Sequence, residues 1–146
     1  MKVFLDTWVL VERYKGNQDA VKVLRAARKG LEAHISHITI AELVNVISRE
    51  YGEREARVQY PYLRRLPLTK SGTTEEISKN ARLFKTKYRF SVADAMILST
   101  PLQVNALLLI TGTDKQYNEK WGNVSELEVR TLSEYSKTLD RWRREH

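Results

Sequence analysis

Four acids fall where strands end or helices begin. Asp6 closes the apolar run Val3-Phe4-Leu5, and Asp114 follows the apolar run ALLLI across the turn TGT. Glu42 and Asp94 each stand three residues after a hydroxyl, in Thr39-Ile-Ala-Glu42 and Ser91-Val-Ala-Asp94. Strand ends and the starts of the helices that follow them share one edge of a parallel sheet, the edge where α/β proteins bind ligands. Four carboxylates gathered there would repel one another and stay protonated or splay apart unless a cation held them. Oxygen donors in that number suit Mg²⁺ or Mn²⁺, which bind a few carboxylates, several waters and a substrate phosphate. Such an ion neutralises the phosphate and lowers the pKa of a bound water, and a second ion would stabilise the leaving oxygen. The chemistry implied is phosphodiester hydrolysis.

Each acid also has a plain structural explanation. A Ser or Thr followed three residues later by Glu or Asp is a capping box that satisfies free N–H groups at a helix start. Thr73-Thr-Glu-Glu76 has that pattern and needs no chemistry. Asp is common at turns and caps, which would account for Asp6 and Asp114. Only the set of four favours a site.

The elements that must position these acids alternate along the chain. Residues 3–5 read as a strand and 7–14 as the start of a helix; a second helical stretch runs to Gly30. HISHI at 34–38 reads as a strand, 39–51 as an amphipathic helix, and EREARVQYPYLRRL as a basic helical segment interrupted by Pro61. LPLT at 66–69 is a short strand, followed by helices TTEEISKNARLFKTKYR and SVADAMILSTPLQV, the strands 106–111 and 127–132, and a charged C-terminal helix. Strands alternating with helices predict an α/β protein whose parallel sheet is covered on both faces.

Composition narrows the function classes. A length of 146 residues with 42% hydrophobic content suits one domain, residues 1–146, with a proper core. No run of about 18 apolar residues and no export signal is present, so no membrane association and a cytoplasmic location are expected. The absence of cysteine excludes disulfides, thiolate zinc sites and cysteine nucleophiles. A formal net charge of +7 favours a polyanionic partner such as nucleic acid.

In order and spacing, LDTWVL, ITIAELVNVI, KYRFSVADAMIL and LLLITGTDKQY resemble the motifs of the PIN-domain ribonucleases, and within them the small VapC-type toxins of prokaryotic toxin–antitoxin pairs. The likeness extends from Met1 to about Leu132. It implies a three-layer α/β/α fold with a central, mostly parallel sheet of four to five strands. It also implies a Mg²⁺- or Mn²⁺-dependent endoribonuclease with the catalytic, metal-binding quartet Asp6, Glu42, Asp94 and Asp114. In that resemblance Asp6, Asp94 and Asp114 anchor the metal directly or through water, Glu42 ligates it or positions the attacking water, and cleavage leaves a 5′-phosphate. The family's supporting hydroxyls fall on Thr7 and, near the last acid, Thr111 or Thr113. Implied partners are an RNA substrate, a second copy in a homodimer, and a protein antitoxin seated near the N-terminal helices, with Trp8, Val9, Leu10 and Tyr14 candidates for its groove or for the core.

Three positions depart from the family pattern. Trp8 stands where a small or polar residue is usual, Gly112 takes the slot of a hydroxyl, and Pro101 interrupts the helix carrying Asp94, downstream of the acid. For the substrate, Lys87 and Arg89 beside Tyr88 precede the Asp94 helix, and Arg65 lies in a second cluster with Arg64, Tyr60 and Tyr62. Such mixtures hold a single strand through phosphate contacts and base stacking. His34 and His37, on opposite faces of a strand, read as structural. The terminal RWRREH could meet RNA or an acidic partner, or fray. Two rivals stay open: a PIN nuclease of RNA processing without an antitoxin, and a catalytically silent nucleic-acid-binding module whose acids are caps.

Overall fold

The computed structural model describes residues 2–145, and Met1 and His146 lie outside the described residues. Five strands form one sheet: β1 (Lys2–Leu5), β2 (Glu32–Ser36), β3 (Thr69–Ser71), β4 (Leu108–Ile110) and β5 (Glu128–Arg130). Their order is β3-β2-β1-β4-β5 and every adjacent pair is parallel. The registers Phe4↔His34 and Leu5↔Ile110 put the carboxyl ends of β1, β2 and β4 side by side.

The period of two along β1 divides the core. Val3 and Leu5 point to one face, with Ala33 and Ile35 of β2 and Ile110 of β4. Phe4 points to the other, with Leu109. The first face is covered by α1 (Thr7–Tyr14), α2 (Gln18–Arg28), α3 (His37–Tyr51), α4 (Glu53–Arg64) and α8 (Leu132–Glu145). The second is covered by α5 (Glu75–Tyr88), α6 (Val92–Gln103) and a π-helical turn (Tyr117–Trp121) that follows the short α7 (Asp114–Gln116). This is the three-layer α/β/α arrangement. Phe4 and Leu5 are fully buried, and each contributes roughly 2–3 kcal/mol through the apolar surface it removes from water.

Local chemistry explains where the elements start. Asn17 caps α2 by accepting from the N–H groups of Asp19 and Ala20, and Ala20, Val23 and Leu24, with Ala27 partly buried beside them, form its core-facing stripe. Ser36 rather than Thr39 caps α3, accepting from Ile38 N at 3.1 Å. The strand expected over 34–38 therefore ends at Ser36, and His37 is helical. Glu42 then lies in the second turn, beyond the reach of a capping box, and Thr39 is buried in the helix. β3 begins at Thr69, later than the expected 66–69, and Thr74, not Thr73, caps α5.

Both helix prolines are accommodated. α4 runs through Pro61 without the expected interruption; Pro61 sits in the last turn on an exposed face, where a carbonyl deprived of its N–H partner can bind water. α6 continues through Pro101, with Asp94 held in its first turn. Ser99 Oγ, fully buried on α6, donates to the Ile77 carbonyl of α5 at 2.8 Å. Ser99→Ala removes the donor and is expected to cost about 1–2 kcal/mol in a urea unfolding midpoint, with m unchanged.

Candidate active site

At the carboxyl edge of the sheet a cleft of about 190 Å³ is lined by Asp6, Glu42 and Asp94, with Asn45, Arg49 and Lys120 among its other polar residues. Three of the four expected acids therefore line one cleft. Asp114 does not line this cleft; it is exposed at the first position of α7, beyond the end of β4.

Asp6 is at once a helix cap and something more. Its Oδ1 accepts the Trp8 N–H at 2.8 Å, the cap expected at the start of α1. Its Oδ2 accepts from the Thr111 hydroxyl at 2.7 Å and the Trp121 indole N–H at 2.8 Å. Burial opposes the charged form and pushes its pKa from 3.8 up to about 6, against the lowering effect of those donors and of the Lys120 ammonium.

Glu42 and Asp94 are each held by one neighbour. Thr7 Oγ1 donates to Glu42 Oε1 at 2.6 Å, linking α1 to α3. The Ser91 hydroxyl accepts from Asp94 N at 3.1 Å, so the capping reading accounts for the Asp94 backbone. The Asp94 carboxylate instead accepts from Lys120 Nζ at 2.9 Å.

The supporting hydroxyls thus resolve by contact. Thr7 holds Glu42, Thr111 holds Asp6, and Thr113 donates to the Gln116 side chain at 2.7 Å as part of the cap of α7. One of the departures from the family pattern, Gly112, has a packing reason. A Cβ on Gly112 would stand 3.0 Å from Trp8 Cβ and would collide with the Gln116 amide oxygen. Glycine at 112 leaves room for the Gln116 side chain that caps α7, and its contact with residue 8 is through a Cβ that any residue but glycine would present. Gly112→Ser is expected to lower stability by about 1–2 kcal/mol and Gln116→Ala in the same chain to restore part of it, a coupling read by a double-mutant cycle of melting temperatures.

The cleft also contains groups that the motifs did not indicate. Glu42, Asn45, Val46 and Arg49 are spaced i, i+3, i+4, i+7 along α3, one stripe of the helix, so Asn45 and Arg49 were findable once Glu42 was chosen. Lys120 and Trp121 come from the π-helical turn, a form that recurs at functional sites. No periodicity in the sequence marks it.

Of the expected substrate contacts, Lys87 and Arg89 line a depression that shares Asp94 and Lys120 with the acidic cleft. Arg89 is exposed in a left-handed conformation at the end of α5, and Lys87 Nζ is paired with Glu126 at 2.8 Å. Tyr88 also donates to Glu126. Arg65 lies elsewhere, after α4 and ahead of the amino end of β3, outside the lining of both cavities. His34 is buried with Nε2 3.0 Å from Glu32, away from the cleft, whereas His37 is exposed at the first turn of α3. Val9 and Leu10 belong to the core, and Trp8 and Tyr14 are only partly buried. α8 is buried at Leu132, Tyr135, Ser136 and Leu139, and beyond them Asp140 pairs with Lys22 of α2 at 3.1 Å.

A parallel five-stranded sheet between helical layers, with three carboxylates at its carboxyl edge, defines the class. The chain belongs to the PIN domain family, whose model matches residues 3–120. Among solved structures it is similar to a chain of the DNA-bound VapBC complex of Salmonella typhimurium, with 14% identity and a TM-score of 0.69 over 90% of this chain and 98% of that one. It is similar also to a chain of VapBC2 from Rickettsia felis bound to a promoter fragment, with 20% identity and a TM-score of 0.67 over 90% and 98%. VapC20 of Mycobacterium tuberculosis, described as a toxin that cleaves the sarcin-ricin loop, matches with 14% identity and a TM-score of 0.64 over 86% and 98%. No curated protein matches the chain in sequence. No helix among the described residues is long and apolar enough to cross a membrane.

The donors of the cleft fit a hard divalent cation in kind. All are carboxylate oxygens, and Asp94 already draws a cationic group to itself in Lys120. As placed, no three acid or imidazole groups among the described residues are close enough to hold one ion. The Asp94 carboxylate is held by the Lys120 ammonium.

The buried carboxylate has a consequence for stability. The folded chain keeps the Asp6 proton up to about pH 6, whereas the unfolded chain loses it near 3.8. Between these values the folded state binds more protons, so the Asp6 contribution is fully present below pH 4 and is lost as pH rises through 6. In metal-free protein, the stability of Asp6→Asn relative to wild type should rise by on the order of 3 kcal/mol from pH 4 to 7.5. Paired urea titrations across that range check it, and a flat difference contradicts it.

Proposed function

We propose that the chain is a metal-dependent endoribonuclease, the toxin of a VapBC-type pair, with Asp6, Glu42 and Asp94 forming its catalytic cleft. The observation that supports this reading is the convergence of three acids, far apart in sequence, on one cleft beside basic and aromatic residues. Caps alone do not explain it: Lys120 holds the Asp94 carboxylate, and Asp6 Oδ2, the oxygen not used in capping, accepts from Thr111 and Trp121. Mg²⁺ or Mn²⁺, when bound, supplies charge neutralisation at the scissile phosphate and a water of lowered pKa.

The chain's own residues do the rest. Thr111, Trp121 and the Trp8 N–H fix the Asp6 carboxylate from three directions, so it is presented without reorganisation. Thr7 fixes Glu42, leaving its second oxygen for a ligand or for the proton of an attacking water. Arg49, on the same helix stripe as Glu42, offers a guanidinium to a phosphate oxygen. Lys87, Tyr88 and Arg89 extend the path of a single strand past Asp94. For the antitoxin, the groove between α1 and α2 has apolar Val21 and Leu24 below Arg13, Arg25 and Arg28, a surface suited to an amphipathic acidic segment.

The test is cleavage of single-stranded RNA. Wild type with Mn²⁺ or Mg²⁺ should cut and leave 5′-phosphate ends, and EDTA should stop it. Asp94→Asn should lose at least about 100-fold in kcat/KM while its circular dichroism is unchanged. Equal cleavage by the variant, or cleavage in EDTA, contradicts the reading.

A further inference from the structure

Two adjacent residues of the π-helical turn reach two different carboxylates. Trp121 donates to Asp6, and Lys120 to Asp94 at 2.9 Å. Lys120 is only partly exposed, its charge also acts on the buried Asp6, and its side chain lines both the acidic cleft and the basic depression beside it. Its Nζ lies over the Trp121 ring, 6.0 Å from the centroid. An ammonium in that position neutralises carboxylates that would otherwise repel one another, which is the task of the cation described above.

The geometry points to Lys120 as a resident counter-ion of the cleft, which competes with the divalent cation for Asp94 and must leave before that ion is fully bound. This rests on the proposal that the cleft takes a divalent metal, and it adds that the chain itself sets the threshold for loading. A flexible ammonium on four methylenes can withdraw into the adjoining depression, where a substrate phosphate would receive it.

Calorimetric titration of the full chain with Mn²⁺ alone tests the competition. Lys120→Met should bind Mn²⁺ at least tenfold more tightly than wild type. Without metal it should melt at a lower temperature, and Mn²⁺ should raise its melting temperature further than that of wild type. Lys120→Arg, which keeps the charge, and Lys115→Met, which removes an exposed lysine paired with Glu119, should stay within threefold of wild type. The latter separates contact from mere loss of positive charge. If Lys120→Met does not fold, Lys120→Gln takes its place with the same expectation. Unchanged or weaker Mn²⁺ binding by the neutral variant overturns the proposal, as does equal tightening in Lys115→Met or absence of binding in both wild type and variant. RNA cleavage does not enter the measurement, so the ribonuclease reading can fail while Mn²⁺ still competes with Lys120, and the reverse.

Discussion

Asp6→Asn should abolish RNA cleavage, lowering kcat/KM by at least about 100-fold, while leaving the fold in place. Among the cleft acids Asp6 is the most constrained. It ends β1 at the centre of the sheet, is 2% exposed, and receives donors from residues 8, 111 and 121. Asparagine fills the same space and can still cap α1, but it cannot accept from all three donors, and it carries no charge for a cation. The Asn should therefore weaken Mn²⁺ binding and catalysis together, a loss that rising Mn²⁺ only partly restores. Asp114→Asn is the contrast. Since Asp114 lies outside the cleft lining, its loss should stay within about tenfold in the same assay. An equal loss in both variants would mean that α7 turns inward in the working enzyme.

The second large effect is on stability. Trp121 is 1% exposed, packs edge-on against Phe90 with centroids 5.3 Å apart, and belongs to the same cluster as Phe4 and Leu98. Trp121→Ala should cost about 4 kcal/mol in urea unfolding, from the lost burial and the cavity left behind. Trp121→Phe keeps most of the volume and loses the N–H to Asp6. Its stability loss should be nearer 1–2 kcal/mol. With one donor gone, the Asp6 pKa should move further up, and Mn²⁺ binding should require a higher pH than in wild type. Indistinguishable pH profiles for Trp121→Phe and wild type would show that the indole only fills space.

Much of this architecture was legible in the chain. The apolar runs ending at Leu5 and Ile110 mark the two central strands, and their parallel pairing places Asp6 at the carboxyl edge as expected. Boundaries were harder where one pattern runs into the next. In HISHITI the apolar residues continue from strand to helix, and Ser36 rather than Thr39 supplies the cap, so the motif reading of Glu42 as a capping residue fails while its place in the cleft holds. Asp114 shows the opposite case. Its position after β4 was readable, but its orientation depends on the Thr113–Gln116 cap, a local contact that spacing does not reveal.

The partners of the acids were the least visible. Trp121 meets Asp6 across 115 residues and Lys120 meets Asp94 across 26, and a π-helical turn leaves no periodic trace. The tight fit of residue 112 against the Gln116 side chain and the Trp8 Cβ was equally invisible in sequence. Long-range complementarity of this kind is set by packing, not by local propensity.

The most direct test of the acidic cleft as a cation site is an anomalous diffraction map from a crystal of the full chain loaded with Mn²⁺. A peak is expected about 2.1 Å from oxygens of Asp6 and Asp94, with Lys120 Nζ withdrawn from Asp94. A map with no peak in the cleft, or with Mn²⁺ bound by neither carboxylate, would contradict it.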